Sequence, residues 1–126
     1  KTRPISTWKI LYELVKNREA FIIFGDLDDK LVTAAYFSYN SVCCNYGIAA
    51  SIRELFDKPI SHIVLWQAII HSKKINCKYL ETGEQHFFNQ DNPTQKELGI
   101  SKFKKGFGGE TKVRLNIIGT PNLVTK

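Results

Sequence analysis

Between Ala20 and Ala50 the chain carries three apolar runs, AFIIFG, LVTAAYFSY and VCCNYGIAA, separated only by the polar breaks DLDDK and Asn40-Ser41. Runs rich in Val, Ile, Thr, Phe and Tyr and bounded by Asp, Asn and Gly read as strands. Connections this short join strands that run in opposite directions, because a parallel return needs a dozen residues or more. The three runs therefore predict an antiparallel meander, and any fold of this chain has to contain it.

The flanking segments have a different rhythm. From Thr7, the residues Trp8, Leu11, Tyr12 and Val15 follow the i, i+3, i+4, i+7 spacing of an amphipathic helix, with Ser6 and Thr7 as caps and Asn17 as its stop. After the meander, SIRELFDKP is polar and broken by Pro59, and Ser61 is placed to cap a second helix running to about Lys74. That helix is apolar nearly all round, so it is expected to be buried, with Trp66 in the core. CKYLETG then reads as a short strand, giving a strand-helix-strand order that predicts a parallel crossover. Glu84 to Thr94 reads as a loop, Gln95 to Leu98 as a short helical piece, and TKVRLNII, Thr111 to Ile118, as a closing strand. The result is a mixed α/β (α+β) sandwich: an antiparallel meander followed by a strand-helix-strand crossover, flanked by helices. At 126 residues it is expected to form a single domain, 1–126.

Several function classes are disfavoured. The apolar run around Ile63 to Ile70 falls far short of the ~20 residues a membrane helix needs, so no transmembrane segment is expected. The chain opens on Lys1 without a leader pattern, which is the expectation for a processed protein or a fragment. Cys43 and Cys44 are adjacent and Cys77 stands alone, a poor disulfide framework that favours a reducing cytoplasm. The cysteines and His62, His71 and His86 lack C-x-x-C and H-x-x-x-H spacing, and Lys30 breaks the calcium-loop pattern begun by Asp26, so no metal site is expected. His62 and His71 are expected to satisfy local hydrogen bonds, and the cysteines to pack.

The remaining signal is electrostatic. The net charge is +6, and six of the 18 basic residues, Lys96, Lys102, Lys104, Lys105, Lys112 and Arg114, gather around GISKFKKGFGGE, Gly99 to Glu110. A localised basic region favours an anionic ligand, although a solvated face has the same composition. Gly106, Gly108 and Gly109 allow the backbone to come close to a ligand, so their N–H groups are candidates to join Lys102, Lys104 and Lys105 in holding an anion. Whether the stretch begins extended or helical is open.

The pattern Gly-Ile-x-x-Phe-Lys-x-x-Phe-Gly-Gly resembles the FemAB-like peptidyltransferases, which are built from acetyltransferase-type (GNAT) domains. NYGIAAS, HIVLWQAIIHSKK and YLETG extend the resemblance more loosely over nearly the whole chain. It implies a GNAT-like twisted mixed sheet and one half, the C-terminal one, of a two-domain enzyme. The implied reaction moves an aminoacyl group from aminoacyl-tRNA to an amine of a cell-wall precursor, with no tightly bound cofactor. Phe103 and Lys104 then meet the tRNA acceptor end, Lys104 stabilises the developing oxyanion, and Lys102, Lys105, Phe107, Gly108 and Gly109 help hold the donor.

Glu81 and Tyr46, near strand ends, are candidate general bases. The alternative the same fold implies is an N-acetyltransferase using acetyl-CoA. The GNAT turn that holds pyrophosphate reads Arg/Gln-x-x-Gly-x-Gly/Ala, whereas RELFDKPIS has no glycine, leaving Arg53, Lys58 and the helix start at Ser61 to attract phosphate. A third reading is a non-catalytic module that binds RNA or another polyanion. A missing N-terminal domain, or a second copy of the chain, would complete a half-enzyme.

Overall fold

The computed structural model describes residues 2–87, 89, 92–115 and 119. The chain divides into two compact units, Lys1–Glu84 and Gln85–Lys126.

In the first unit, helix α1 (Ile5–Lys16) precedes strands β1 (Ala20–Leu27), β2 (Lys30–Tyr39) and β3 (Cys43–Ser51). A short 3-10 turn at Arg53–Leu55, helix α2 (Ile60–Lys74) and strand β4 (Tyr79–Glu81) follow. The sheet order is β1-β2-β3-β4, antiparallel except for the parallel β3–β4 pair. The expected meander and crossover are both present. Asp28 and Asp29 turn β1 into β2 with φ of 52° and 59°, the left-handed pair that a two-residue hairpin needs. At the next turn the Asn40 Oδ1 accepts from the N–H groups of both Val42 and Cys43 at 2.8 Å, fixing the register of β3.

The two faces of the sheet follow from strand alternation. Phe21, Phe37 and Tyr46 stack across three strands on one face, and His71 of α2 meets Phe21 edge-on at 4.4 Å. Leu65 of α2, Phe37 and Cys44 are completely buried. Burying a side chain such as Phe37 or Leu65 is worth about 1.5–3 kcal/mol. On the opposite face the Tyr36 hydroxyl donates to the Leu11 carbonyl of α1 at 3.4 Å.

Both helices differ from expectation in the same way. α1 starts at Ile5 behind Pro4, with no side-chain cap, and Ser6 and Thr7 lie inside it. Leu11, Leu14 and Val15 are half-buried while Trp8 and Tyr12 are exposed, so the inward stripe is rotated from the expected one. α2 buries Ile60, Val64, Leu65, Ala68 and Ser72 but leaves Ile63 and Trp66 exposed, correcting the assignment of Trp66 to the core. A helix lying on one sheet can bury only one side, whatever residues occupy the other.

In the second unit, helix α3 spans Gln95–Lys105. Thr94 and Glu97 form a reciprocal capping box at its start. The buried Ser101 ties down the preceding segment: its Oγ accepts from the His86 N–H at 2.8 Å, and its carbonyl accepts from Gln85 Nε2 at 3.1 Å. The helix therefore runs well past the expected Leu98 and includes the first half of the basic motif. Thr111 to Leu115 do not form the expected closing strand. Among the described residues no strand pairs with them, Val113 and Leu115 are exposed, and Asn116 to Ile118 lie outside the described residues. Among the described residues, no helix is long and apolar enough to cross a membrane.

Candidate active site

The β3–β4 ladder is short. Cys43, Cys44 and Asn45 pair with Tyr79, Leu80 and Glu81, whereas β3 continues to Ser51. Among the described residues nothing pairs with Tyr46 to Ser51 on that side, so the backbone groups aimed away from β2 form an open strand edge. The register against β2 also slips there: Ile48 pairs with Tyr36 and Tyr46 with Phe37, leaving Gly47 as the extra residue of a bulge. A bulge bends its strand and takes one residue out of the ladder. An isolated glycine inside a strand run is the sequence signal for it, and reading composition alone misses it.

Two of the expected site residues flank the parting of β3 and β4. Tyr46 is the first β3 residue beyond the last pair, and Glu81 closes β4 opposite Asn45. They point to opposite faces. Tyr46 stacks on Phe37 at 5.3 Å, on the α2 side, while Glu81 shares the face of Asn45 and therefore of Ser38, on the α1 side. Burial pushes the Tyr46 phenol up from its ordinary range, so at neutral pH it holds its proton and suits donation better than the base role expected of it.

The open edge leads to the start of α2. Thr33 Oγ1 and Ser51 Oγ lie 2.8 Å apart, and Ser51 Oγ is 3.1 Å from Ser61 Oγ, a hydroxyl chain that fastens the first turn of α2 to the sheet. Ser61 is thus a tie and not the helix cap; the helix follows Pro59 without a side-chain cap. In the preceding loop the N–H groups of Leu55, Phe56 and Lys58 donate to Ile52, Arg53 and Leu55 carbonyls. Those three amides are consumed within the loop. Arg53 and Lys58 are exposed beside the uncapped helix start, where side-chain cations and the dipole favour an anion. A cavity of about 410 Å³ adjoins this loop, lined by Leu27, Val32, Ile52 and Leu55 with Asp28, Lys30 and Glu54. It lies at the β1–β2 turn, away from Tyr46 and Glu81.

Burial pushes the Cys44 thiol up, and that of Cys77 likewise, which makes these two poor nucleophiles, and none of the three cysteines forms a disulfide. Among the described residues no cluster suits a metal ion.

In the second unit the basic motif is built differently from the expected glycine-rich turn. Lys102, Phe103, Lys104 and Lys105 form the last turn of α3, with Lys102 and Lys105 exposed and Phe103 and Lys104 half-buried. Phe107 folds back on Phe103 edge-on at 5.3 Å. The Gly106 N–H donates to Lys102 and Phe103 carbonyls, Phe107 to Lys104 and Gly108 to Lys105. Gly108 and Gly109, at φ of 78° and 91°, make the left-handed exit that glycine permits. The amides of Gly106 and Gly108 therefore close the helix and are not offered to an anion, which corrects that part of the expectation. Lysines at a helix C-terminus also complement its dipole, so their clustering has a local physical cause.

AAC(6')-Iy, solved with the bisubstrate analogue CoA-S-monomethyl-acetylneamine, superposes with a TM-score of 0.71 at 8% identity, covering 94% of this chain and 80% of the other. The fold is that of the GNAT acetyltransferases. A ribosomal-protein-alanine N-acetyltransferase from Brucella melitensis biovar Abortus 2308 gives 0.61 at 12% identity, over 94% and 82% of the two chains. A transcriptional regulator from Bacillus halodurans C-125 gives 0.68 at 11%, over 93% and 77%. The GNAT fold thus serves proteins with different names, and its use in this chain has to be argued from the site. No family model and no curated protein matches the sequence.

Proposed function

We propose that this chain is an N-acetyltransferase that moves an acetyl group from acetyl-CoA to an amine, bound where β3 and β4 part. The observation that carries the reading is the open edge of β3 from Tyr46 to Ser51, with its Gly47 bulge, running into the uncapped start of α2. An extended chain of amides, as in the pantetheine arm, satisfies such an edge in the way an added strand does. The phosphates then fall to Arg53, Lys58 and the α2 N-terminus, because the amides of Leu55, Phe56 and Lys58 are already used within the loop. The grip is expected to be salt-sensitive and weaker than that of a glycine turn. Solved neighbours that carry CoA or a CoA-linked analogue support the donor class.

The chemistry follows from the two faces. The amine nitrogen attacks the thioester carbonyl carbon, the oxyanion forms and collapses, and the C–S bond breaks to release the thiolate. Backbone N–H groups near Gly47 are the oxyanion donors in this reading, and removing one such donor typically costs about 10²- to 10³-fold in rate. Tyr46, protonated and on the α2 face, gives its proton to the leaving thiolate. Glu81, on the α1 face, takes the proton lost by the amine, directly or through one water. A gap through the sheet lets donor and acceptor approach from opposite sides, which suits direct transfer in a ternary complex.

The aminoacyl-tRNA reading, with a cell-wall acceptor and Lys104 at the oxyanion, draws on the motif at α3. It is the weaker of the two because the amide of Gly108, one of the groups it assigns to the donor, closes the helix. The test is a calorimetric titration of the whole chain with acetyl-CoA, followed by thiol release with a panel of amines. Saturable one-to-one binding and amine-dependent thiol release are expected; no heat at millimolar ligand overturns the reading.

A further inference from the structure

Strand β1 is the free edge of the sheet: among the described residues only β2 pairs with it. It is eight residues long, reads AFIIFGDL, and exposes Ile22 (38%) and Phe24 (61%) on its outward face. Folded proteins usually blunt such an edge with lysine, proline, a short strand or a bulge, because its unpaired backbone is a template for another strand. β1 holds neither lysine nor proline. The one irregularity in the β1–β2 ladder falls where Gly25 pairs with Thr33 and Asp26 with Leu31, so the extra residue is Val32 of β2 and β1 itself stays regular.

We infer that this edge is a homodimer interface, in which β1 of two copies pair antiparallel about a two-fold axis through Ile23. Directly opposed residues of one continuous sheet lie on the same face, so the axis has to pass through a residue and not between two. The two residues at the middle of β1 are Ile23 and Phe24. An axis through Phe24 sets Ile22 against Asp26 and Glu19 against Asp29 of the other copy, an apolar-acidic mismatch and a like-charge pair at each end. An axis through Ile23 sets Ile22 against Phe24, covering both exposed apolar side chains twice over. It also brings Arg18 to Asp28 at each end. Arg18 and Asp28 are both exposed and lie just outside β1, Arg18 in the turn two residues before it and Asp28 one residue after it, each in the left-handed region with φ of 59° and 52°. The register that buries the apolar pair also brings opposite charges together beyond the strand ends and opposes no two like charges within that span, with Glu19 set against Leu27 and Asp26 against Ala20. This is an isologous contact, closed by its own symmetry, which limits assembly to two copies.

The test is sedimentation of the whole chain at about 100 µM, where a dimer of roughly micromolar affinity is almost fully formed. A dimer is expected for the unaltered chain. Phe24→Lys, at an exposed position, is expected to give a folded monomer with an unchanged far-UV circular dichroism spectrum, its melting temperature lower only by the dimer's mass-action contribution. Arg18→Asp is expected to weaken the dimer at least tenfold, and Arg18→Asp with Asp28→Arg to restore it, because the pair is re-formed with its signs exchanged. A monomeric unaltered chain overturns the inference, and so does a dimer indifferent to Phe24→Lys and to the charge reversal. Neither result bears on acetyl-CoA binding, so the interface and the proposed activity fail separately.

Discussion

Asn45 and Glu81 form the last pair of the parallel ladder, and the next β3 residue, Tyr46, faces the opposite side of the sheet from Glu81. Two proton-handling groups are thereby held on the two sides of one gap. In the acetyl-CoA reading their removal has different kinetic signatures. Glu81→Gln is expected to lower kcat/KM by about 10²- to 10⁴-fold, as loss of a general base does. Tyr46→Phe is expected to lower kcat while leaving acetyl-CoA affinity within a few-fold. Steady-state rates of thiol release across pH check both, and unchanged rates in either variant remove that residue from the mechanism.

Lys104 separates the two donor classes. If acetyl-CoA is the donor, Lys104→Ala is expected to leave thiol release within about threefold of the unaltered chain, because the last turn of α3 contributes no group to the chemistry. If aminoacyl-tRNA is the donor and Lys104 meets the oxyanion, loss of that donor is expected to cost about 10²- to 10³-fold in aminoacyl transfer. Assays of both donors on the same variant decide it.

The parts of this fold that depend on local pattern were legible in the sequence. Three β-rich runs with short breaks specified the meander, and the Pro59-to-Lys74 segment specified a helix between parallel strands. What depended on partners far along the chain was not legible. Trp66 looks like core on an apolar helix until the sheet beneath it takes up the side bearing Val64, Leu65 and Ala68. The alternation in TKVRL predicts a strand only where a neighbouring strand exists to pair with it. The site suffered similarly: Tyr46 and Glu81 were found as residues near strand ends, but the open edge between them comes from β4 being three residues long beside a β3 of nine. At α3 the helical start at Gln95 is legible in the sequence, whereas its continuation past Leu98 to Lys105 is masked by Gly99 and by the glycines that follow Lys105.

Ser51 stands in the middle of a hydroxyl chain, with Thr33 on β2 at 2.8 Å and Ser61 on α2 at 3.1 Å. Thr33 is 4% exposed, so it has little access to water in place of that partner. Ser51→Ala is expected to destabilise the fold by about 1–3 kcal/mol, the cost of leaving a buried hydroxyl unsatisfied. Urea unfolding measures this, and the same variant should weaken acetyl-CoA binding if the start of α2 is what the chain holds in place.

Gly25 of β1 faces Val64 of α2. A Cβ built there falls 2.5 Å from Thr33 Cγ2 and 3.4 Å from Val64 Cγ2. Thr33 cannot rotate away freely, because its hydroxyl is held by Ser51. Gly25→Ala is therefore expected to cost about 1–3 kcal/mol through overpacking. At Gly47 a Cβ would meet only the Tyr36 carbonyl at 3.6 Å and its ring at 3.8 Å, ordinary contacts. Gly47→Ala is expected to leave stability nearly unchanged, and equal losses at the two positions in thermal melts would contradict the packing argument.

Stability should fall on the alkaline side before it falls on the neutral one. Burial raises Tyr46, Tyr36, Cys44 and Cys77 above their ordinary values of 10.0 and 9.0. In each case the folded chain binds the proton more tightly than the unfolded one. Their contribution is complete below the unfolded values and is lost as pH rises through the folded ones, because the unfolded chain can ionise while the folded chain resists it. Stability is accordingly expected to be flat with respect to these groups from pH 6 to about 8, and to decline from about pH 9 upward. Tyr46→Phe removes one ionising group from the balance. Its stability, measured by urea unfolding at pH 8 and pH 10.5, should decline less over that interval than that of the unaltered chain. An equal or steeper decline would mean that the Tyr46 phenol is not held neutral by burial, and the proton-donor role assigned to it would lose its physical basis.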